Sequence, residues 1–358
     1  MESLLGKNID ELQAVAVEAG LPRFAGKQLA QWLYEKRATD IEQMTNLSKA
    51  GRQALAEQYT IGRNEPTATV QSTDGTRKFL FQVGQEHVET VLIPEDDRHT
   101  LCISTQAGCR MRCAFCMTGT LGFRKHLTAA EMLNQILTID SLIDGGLTNL
   151  VLMGEGEPMD NLDEVLRTLT VLTAPWGYGW SPKRITVSSV GVIPQLERYL
   201  KESDCHLAIS LHNPFHSERA DIMPAEKAYP IAQTIQRLKQ YDFAHQRRLS
   251  FEYICWSGMN DTKRHADELL RLLRGLPCRI NLIRFHEGEQ NQTVTINQQP
   301  IHFPASDEKQ MVWLRDYLTD HGITTTIRRS RGEDILAACG MLVNSLENSS
   351  SHLPHKGR

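Results

Sequence analysis

The chain has 358 residues, 41% hydrophobic and 23% charged, enough to bury one large catalytic core with smaller appendages. It holds no apolar run of the roughly eighteen residues a membrane helix needs, and its first residues, Met1 to Gly6, lack the regions of a signal peptide, so neither a membrane span nor export is expected and the chain reads as cytoplasmic. A net charge of -4 does not announce a nucleic-acid binder, although local clusters rather than totals decide contacts with phosphates.

Residues 1–65 are expected to form a helical accessory module. Ile9, Leu12, Val15, Ala16 and Ala19 share one face of a 3.6-residue period that Gly20 and Pro22 end, and Leu29, Trp32 and Leu33 form another. Over 66–98 the pattern changes to alternation. Stretches 68–72, 78–83 and 88–93 read as a β-meander extension, with Asp74-Gly75 turning between the first two. Over 99–343 strands and helices alternate: candidate strands are 100–105, 149–153, 184–188, 206–211, 249–254 and 279–285, with helical periodicity between them, as at 129–143 and 261–273. Six such units predict an α/β fold, a parallel sheet curling into a TIM-like partial (β/α)6 barrel whose site lies in the loops after the strands. Residues 344–358, polar and serine-rich, read as a disordered tail.

Cys109, Cys113 and Cys116 stand in a C-x3-C-x2-C spacing after the first of these strands. Thiolates hold iron-sulfur clusters, and a four-iron cluster on three cysteines leaves one iron open to something that is not protein. Structural zinc would normally close with four ligands from paired C-x2-C knuckles, and no second knuckle is visible. A further reading makes these cysteines small core residues, against which the neighbouring Arg110, Arg112 and Thr118 speak. Eight cysteines in such a chain suggest reduced thiols and metal ligation rather than a disulfide framework.

After the second strand, Gly154-Glu155-Gly156-Glu157-Pro158 reads either as a helix entry or as a ligand cradle. Glycine would let backbone approach closely, and Glu157 could accept from an ammonium group. Ser188, Ser210, Leu211, His212 and His286 fall at equivalent heights on later strands. Basic clusters occur at Lys36-Arg37, Arg77-Lys78, Arg124-Lys125, Lys183-Arg184, Arg247-Arg248 and Arg328 to Arg331, each by itself more often a solvated face than a site.

The cysteine spacing, with Phe115 before the third cysteine, resembles the cluster loop of the radical S-adenosylmethionine (radical SAM) superfamily. The run 154–158 resembles its GGEP-type element, with Glu155 departing from the commonest form. Cys102 precedes the loop and Cys339 stands far downstream in Ala338-Cys339-Gly340. With Glu89 to Pro94 and Ile280 to Ile283, they make residues 1–344 similar to the RlmN family.

That resemblance implies a methyltransferase acting on carbon 2 of an adenine in 23S rRNA, at the peptidyl transferase centre, and of the adenine 3′ of the anticodon in tRNA. It implies one [4Fe-4S] cluster on Cys109, Cys113 and Cys116, and two S-adenosylmethionine molecules per turnover. Cofactor contacts would come from Gly156, Glu157, Ser188, Ser210, Leu211, His212 and His286, the last standing where other members carry asparagine. It implies a ping-pong course: Cys339 takes a methyl group, a radical forms on it and joins the adenine, Glu89 removes the carbon 2 proton, and Cys102 releases the product through a disulfide with Cys339. The strand pattern by itself would turn Glu89 to solvent. A low-potential donor such as flavodoxin or ferredoxin, phosphate contacts from the N-terminal module and from Arg328, Arg329 and Arg331, and a monomeric state complete the expectation. Alternatives are Cfr-like methylation of carbon 8, disfavoured by the helical module and Ala107, a radical SAM enzyme acting on a protein, disfavoured by the Cys102 and Cys339 pair, and a non-catalytic zinc-dependent RNA-binding protein.

Overall fold

The structure, a computed structural model, describes residues 1–244, 247–285, 293–296, 299–338 and 340–342. Three helices, Ile9–Glu18 (α1), Ala25–Ala30 (α2) and Lys49–Gln58 (α3), build the N-terminal module. A capping box starts α1, Asn8 and Glu11 each accepting from the other's backbone N–H, and Leu12, Val15 and Ala16 are buried as their period requires. Glu2–Ser3 pairs in parallel with Tyr59–Thr60, which ties the two ends of the module together.

Ten strands make one sheet. A meander of Ala68–Gln71 (β1), Arg77–Val83 (β2), Glu86–Glu95 (β3) and Arg98–Cys102 (β4) has antiparallel neighbours throughout. The Asp74-Gly75 turn joins β1 to β2 with Gly75 at φ 86°. From β4 onward every neighbour is parallel and in chain order: Asn149–Leu152 (β5), Ile185–Ser189 (β6), His206–Ser210 (β7), Leu249–Cys255 (β8), Arg279–Arg284 (β9) and Thr324–Ile327 (β10). Parallel neighbours need crossovers. These are supplied by Ala129–Asp140 (α4), Leu162–Thr173 (α5), Ile193–Glu202 (α6), His216–Ile222 (α7) with Ile231–Leu238 (α8), Lys263–Leu273 (α9) and Glu308–Asp320 (α10).

The meander extends the barrel-type sheet, because β3 pairs with β4 over five residues. A seventh parallel strand, β10, follows the expected six. Its Thr324-Thr325-Thr326-Ile327 is short and carries a single large apolar side chain, as an outermost strand with one neighbour tolerates. Among the described residues no pairing joins β10 back to β4, so hydrogen bonds leave the barrel partial. No helix of the described residues is long and apolar enough to cross a membrane.

Candidate active site

The C-terminal ends of the parallel strands open on a cleft with about 810 Å3 of empty space. Cys109, Cys113 and Cys116 line one wall. Gly156 and Glu157 after β5, Ser188 on β6, Ser210 and His212 at the end of β7, Glu252 on β8 and Arg328 after β10 line the others. Sheet order therefore brings together residues spread over more than two hundred positions, as the placement of sites in such folds requires.

Backbone contacts hold the cysteine loop. Cys109 N donates to Gly122 O (3.0 Å), Ala114 N to Ile222 O at the end of α7 (2.8 Å) and Met117 N to Gly340 O (2.8 Å). Gly108 has φ 68°, and a Cβ there would lie 1.8 Å from Gly122 O, so only glycine allows the entry to this loop. Phe115 packs its ring edge-on to His212 (4.8 Å between centroids) and against Trp256 (5.2 Å), fixing the middle of the loop. Burial pushes the Cys109 thiol up to about 12 and raises Cys113 and Cys116 too. Thiolates in such a place need a cationic partner. Among the described residues no group of three His, Cys, Asp or Glu side chains is placed to hold a single metal ion. A cluster instead spreads its thiolates over different irons, and three cysteines round one wall of a cleft suit that need.

Glu157 is buried, its carboxylate accepting from Val190 N (2.9 Å) and Met159 N (3.1 Å), and burial raises it to about 7. Gly156, at φ 100°, passes so close to Gln106 that a Cβ would meet its side chain at 2.5 Å. His212 sits in the left-handed region at φ 55°, and its Nδ1 accepts from Ile254 N (3.1 Å). Burial, with the nearby Arg219, lowers it to about 3, so the ring is neutral and carries its proton on Nε2 as a donor. The Leu211 side chain is fully buried and absent from the cleft lining, while its backbone N donates to Glu252 O (3.0 Å). His286 lies outside the described residues.

Glu89 faces inward on β3, not to solvent as the strand pattern by itself would have it: it is fully buried, with its carboxylate 3.0 Å from the equally buried Lys78 Nζ, and it is not among the residues lining the cleft. Lys78 Nζ also reaches Leu336 O (3.4 Å). Cys102, half-buried at the end of β4, pairs with Val91 across the sheet and packs with it against Ala337 and Leu342. Cys339 lies outside the described residues, yet the chain before and after it is fixed: Gly340 lines the cleft, and Thr118 Oγ1 donates to Leu342 O (3.0 Å).

Sequence reasoning missed what two buried groups do. Glu155 is buried, with one carboxylate oxygen accepting from Glu89 N (2.9 Å) and the other from Gly108 N (3.2 Å), so it ties β3 to the entry of the cysteine loop. The buried Arg219 donates to Ser210 O (2.7 Å), Leu211 O (2.9 Å) and Val190 O (3.2 Å) and pairs with Glu226, fastening the ends of β6 and β7. Its partners are carbonyls, which leave no mark in a sequence. Arg328 turns towards Glu252 (3.4 Å) in the cleft rather than standing free for a phosphate. The exposed Arg329, with Arg98, Arg284 and Arg331, lines a basic hollow beside the cleft that also contains Ala337 and Ala338.

Glu155 gives a pH test. Burial raises its carboxyl to about 8 from 4.5, against the pull of the two N–H donors. A raised acid contributes stability that is complete below its unfolded value and is lost as pH rises through the folded one. Between pH 5 and 8 the protein should therefore lose stability relative to Glu155→Gln, with a limiting slope of about 1.4 kcal/mol per pH unit. Parallel denaturation curves for the two proteins would show that this carboxyl does not titrate there.

Comparison with known proteins adds to this geometry. Residues 2–61 match the model of the ribosomal RNA large subunit methyltransferase N-terminal domain, and residues 103–273 match the radical SAM superfamily. A probable dual-specificity RNA methyltransferase RlmN of Porphyromonas gingivalis is 57% identical over 97% of this chain and 98% of its own length. The chain belongs to the RlmN family of radical SAM methyltransferases. A dual-specificity RNA methyltransferase RlmN of Syntrophotalea carbinolica is 38% identical over 94% of this chain and 88% of its own. The crystal structure of a radical SAM methyltransferase from Sphaerobacter thermophilus superposes with a TM-score of 0.87 at 36% identity, covering 96% of this chain and 99% of that one. Membership in the RlmN family implies a [4Fe-4S] cluster and S-adenosylmethionine, and the cleft has donors that suit both: three thiols, Cys109 buried and Cys113 and Cys116 half-buried, and polar groups at the ends of β5, β6 and β7.

Proposed function

We propose that the chain methylates carbon 2 of an adenine in 23S rRNA, at the peptidyl transferase centre, and of the adenine 3′ of the anticodon in tRNA, using two S-adenosylmethionine molecules per turnover. The dual specificity named for its relatives supports the two substrates. One observation carries the mechanism: Cys102 packs in one small cluster with Ala337 and Leu342, which flank position 339, and Gly340 of the same segment lines the cleft with the three loop cysteines.

Bound at the cleft, the cluster and its cofactor would supply a methyl group, radical chemistry and an acceptor for the electron released when the adenine ring regains its aromaticity. Cys109, Cys113 and Cys116 would be the cluster ligands. Gly156 and Glu157 would receive the methionine ammonium, while Ser188, Ser210, Leu211, His212 and His286 would hold the rest of the cofactor. Cys339 carries the methyl group that becomes the link to adenine. Glu89 takes the carbon 2 proton, with Lys78 beside it to balance its charge. Cys102, as a thiolate, attacks the Cys339 sulfur; the sulfur–carbon bond to the RNA breaks as the disulfide forms, the carbon takes that electron pair and a proton to become the methyl group, and cytosolic thiols then reduce the disulfide. Arg329 and the basic hollow beside the cleft receive phosphates that flank the flipped adenine. The N-terminal module, residues 1–65, adds RNA contacts, and residues 66–98 and 99–343 form the extension and core of a monomeric cytoplasmic enzyme. Electrons come from a low-potential donor such as flavodoxin or ferredoxin.

The test is anaerobic incubation with RNA from a methylase-deficient strain, then nucleoside mass spectrometry of separated rRNA and tRNA. We expect 2-methyladenosine in both; 8-methyladenosine in rRNA alone would replace this reading by the Cfr-like one.

A further inference from the structure

At the end of the sheet opposite the cleft, the starts of several strands surround another cavity. Lys183 before β6, His206 opening β7, Arg247 and Arg248 just before β8 and Arg279 opening β9 line it. Four cations thus meet at one hollow in a chain whose net charge is -4. Among the described residues only Arg247 has a carboxylate in reach, the exposed Asp204 at 3.8 Å. Arg247 is itself only 8% exposed, and its Nε has no hydrogen-bond partner among the described residues. Mutual repulsion is visible in the neighbours: Arg248 is lowered by burial and by Arg279, and His206 falls to about 4 through burial and the charges of Arg248, Lys183 and Arg247. Lys183's neighbour Arg184 does not share this role. It stacks on Trp180 (4.2 Å) and donates to Thr148 O (2.7 Å), a fold contact.

Four cations with one exposed carboxylate in reach call for an anion, and arginines suit the paired oxygens of a phosphate. Strands of five to seven residues set this cavity on the order of 20 Å from the cleft, too far to touch the target nucleotide. We propose that the cavity binds the phosphodiester backbone of RNA remote from the target adenine, and so adds affinity for a long folded ribosomal RNA that a short hairpin carrying the same adenine does not gain. The inference rests on the RNA-methyltransferase reading.

The test compares a large 23S rRNA fragment with a minimal target hairpin, each titrated by filter binding over a salt series, using holoenzyme and the variant Arg248→Ala/Arg279→Ala. Both side chains are exposed, so the fold should persist, and iron content and melting check it. Losing two phosphate contacts should flatten the salt dependence for the fragment by a slope of about 1.4–1.8 and weaken its binding about tenfold at low salt. Hairpin binding and its methylation rate should not change. Equal weakening for both RNAs, or no change for the fragment, overturns the proposal. Binding is read without turnover, so a wild-type protein that methylates neither RNA counts against the proposed function alone.

Discussion

Cys102→Ala is expected to accumulate a covalent protein–RNA species, seen as a slow-migrating band that ribonuclease collapses. The variant keeps everything needed to load methyl on Cys339 and attach it to adenine, but no thiol remains at the end of β4 to attack the linking sulfur. Its position gives the expectation force: Cys102 packs with Val91 against Ala337 and Leu342, so a nucleophile there borders the segment that carries Cys339. Cys339→Ala should form no adduct, since no sulfur takes the methyl group. If both cysteines were mere packing residues, alanine at the half-buried Cys102 would cost about 1 kcal/mol and trap nothing. Normal turnover by Cys102→Ala, or an adduct in Cys339→Ala, would rule out the two-cysteine course.

Alanine at Cys109, Cys113 or Cys116 should have an equally large effect, the loss of bound iron and of 5′-deoxyadenosine formation. Each thiol is one of three from protein, and removing one leaves two thiols that burial keeps protonated. The loop itself should survive, because backbone bonds from Cys109, Ala114 and Met117 do not depend on the sulfurs. Metal analysis and an absorption spectrum of anaerobically purified protein decide the matter. Full iron content in any of the three variants, or one zinc and no colour in the parent, would sink the cluster assignment.

What the sequence made legible is what local spacing encodes. Three cysteines in one turn announce their chemistry because a single loop must wrap one object, and the strands before α4 to α9 announce themselves by apolar runs between helical periods. What stayed hidden depends on distant partners. Glu89 looked solvent-facing, since nothing local shows that Lys78 on the neighbouring strand and Glu155 beyond β5 meet it inside. Nothing in the run Ser210-Leu211-His212 shows that Arg219 holds the Leu211 carbonyl. Arg328 was grouped with its neighbours by charge, although Glu252 draws it into the cleft. Strand β10 gave too weak an apolar signal to stand out.

The bonds from Met117 N to Gly340 O and from Thr118 Oγ1 to Leu342 O join positions more than two hundred residues apart, and they have a consequence for biosynthesis. Chains fold from the N-terminus as they are made, so the cysteine loop and the strands beside it emerge from the ribosome long before residue 340 does. Until then the loop lacks the two bonds that tie it to this segment, and Gly340 is missing from the cleft lining. In the proposed course, a nascent chain stalled before position 339 would carry the three loop cysteines without the sulfur that takes the methyl group.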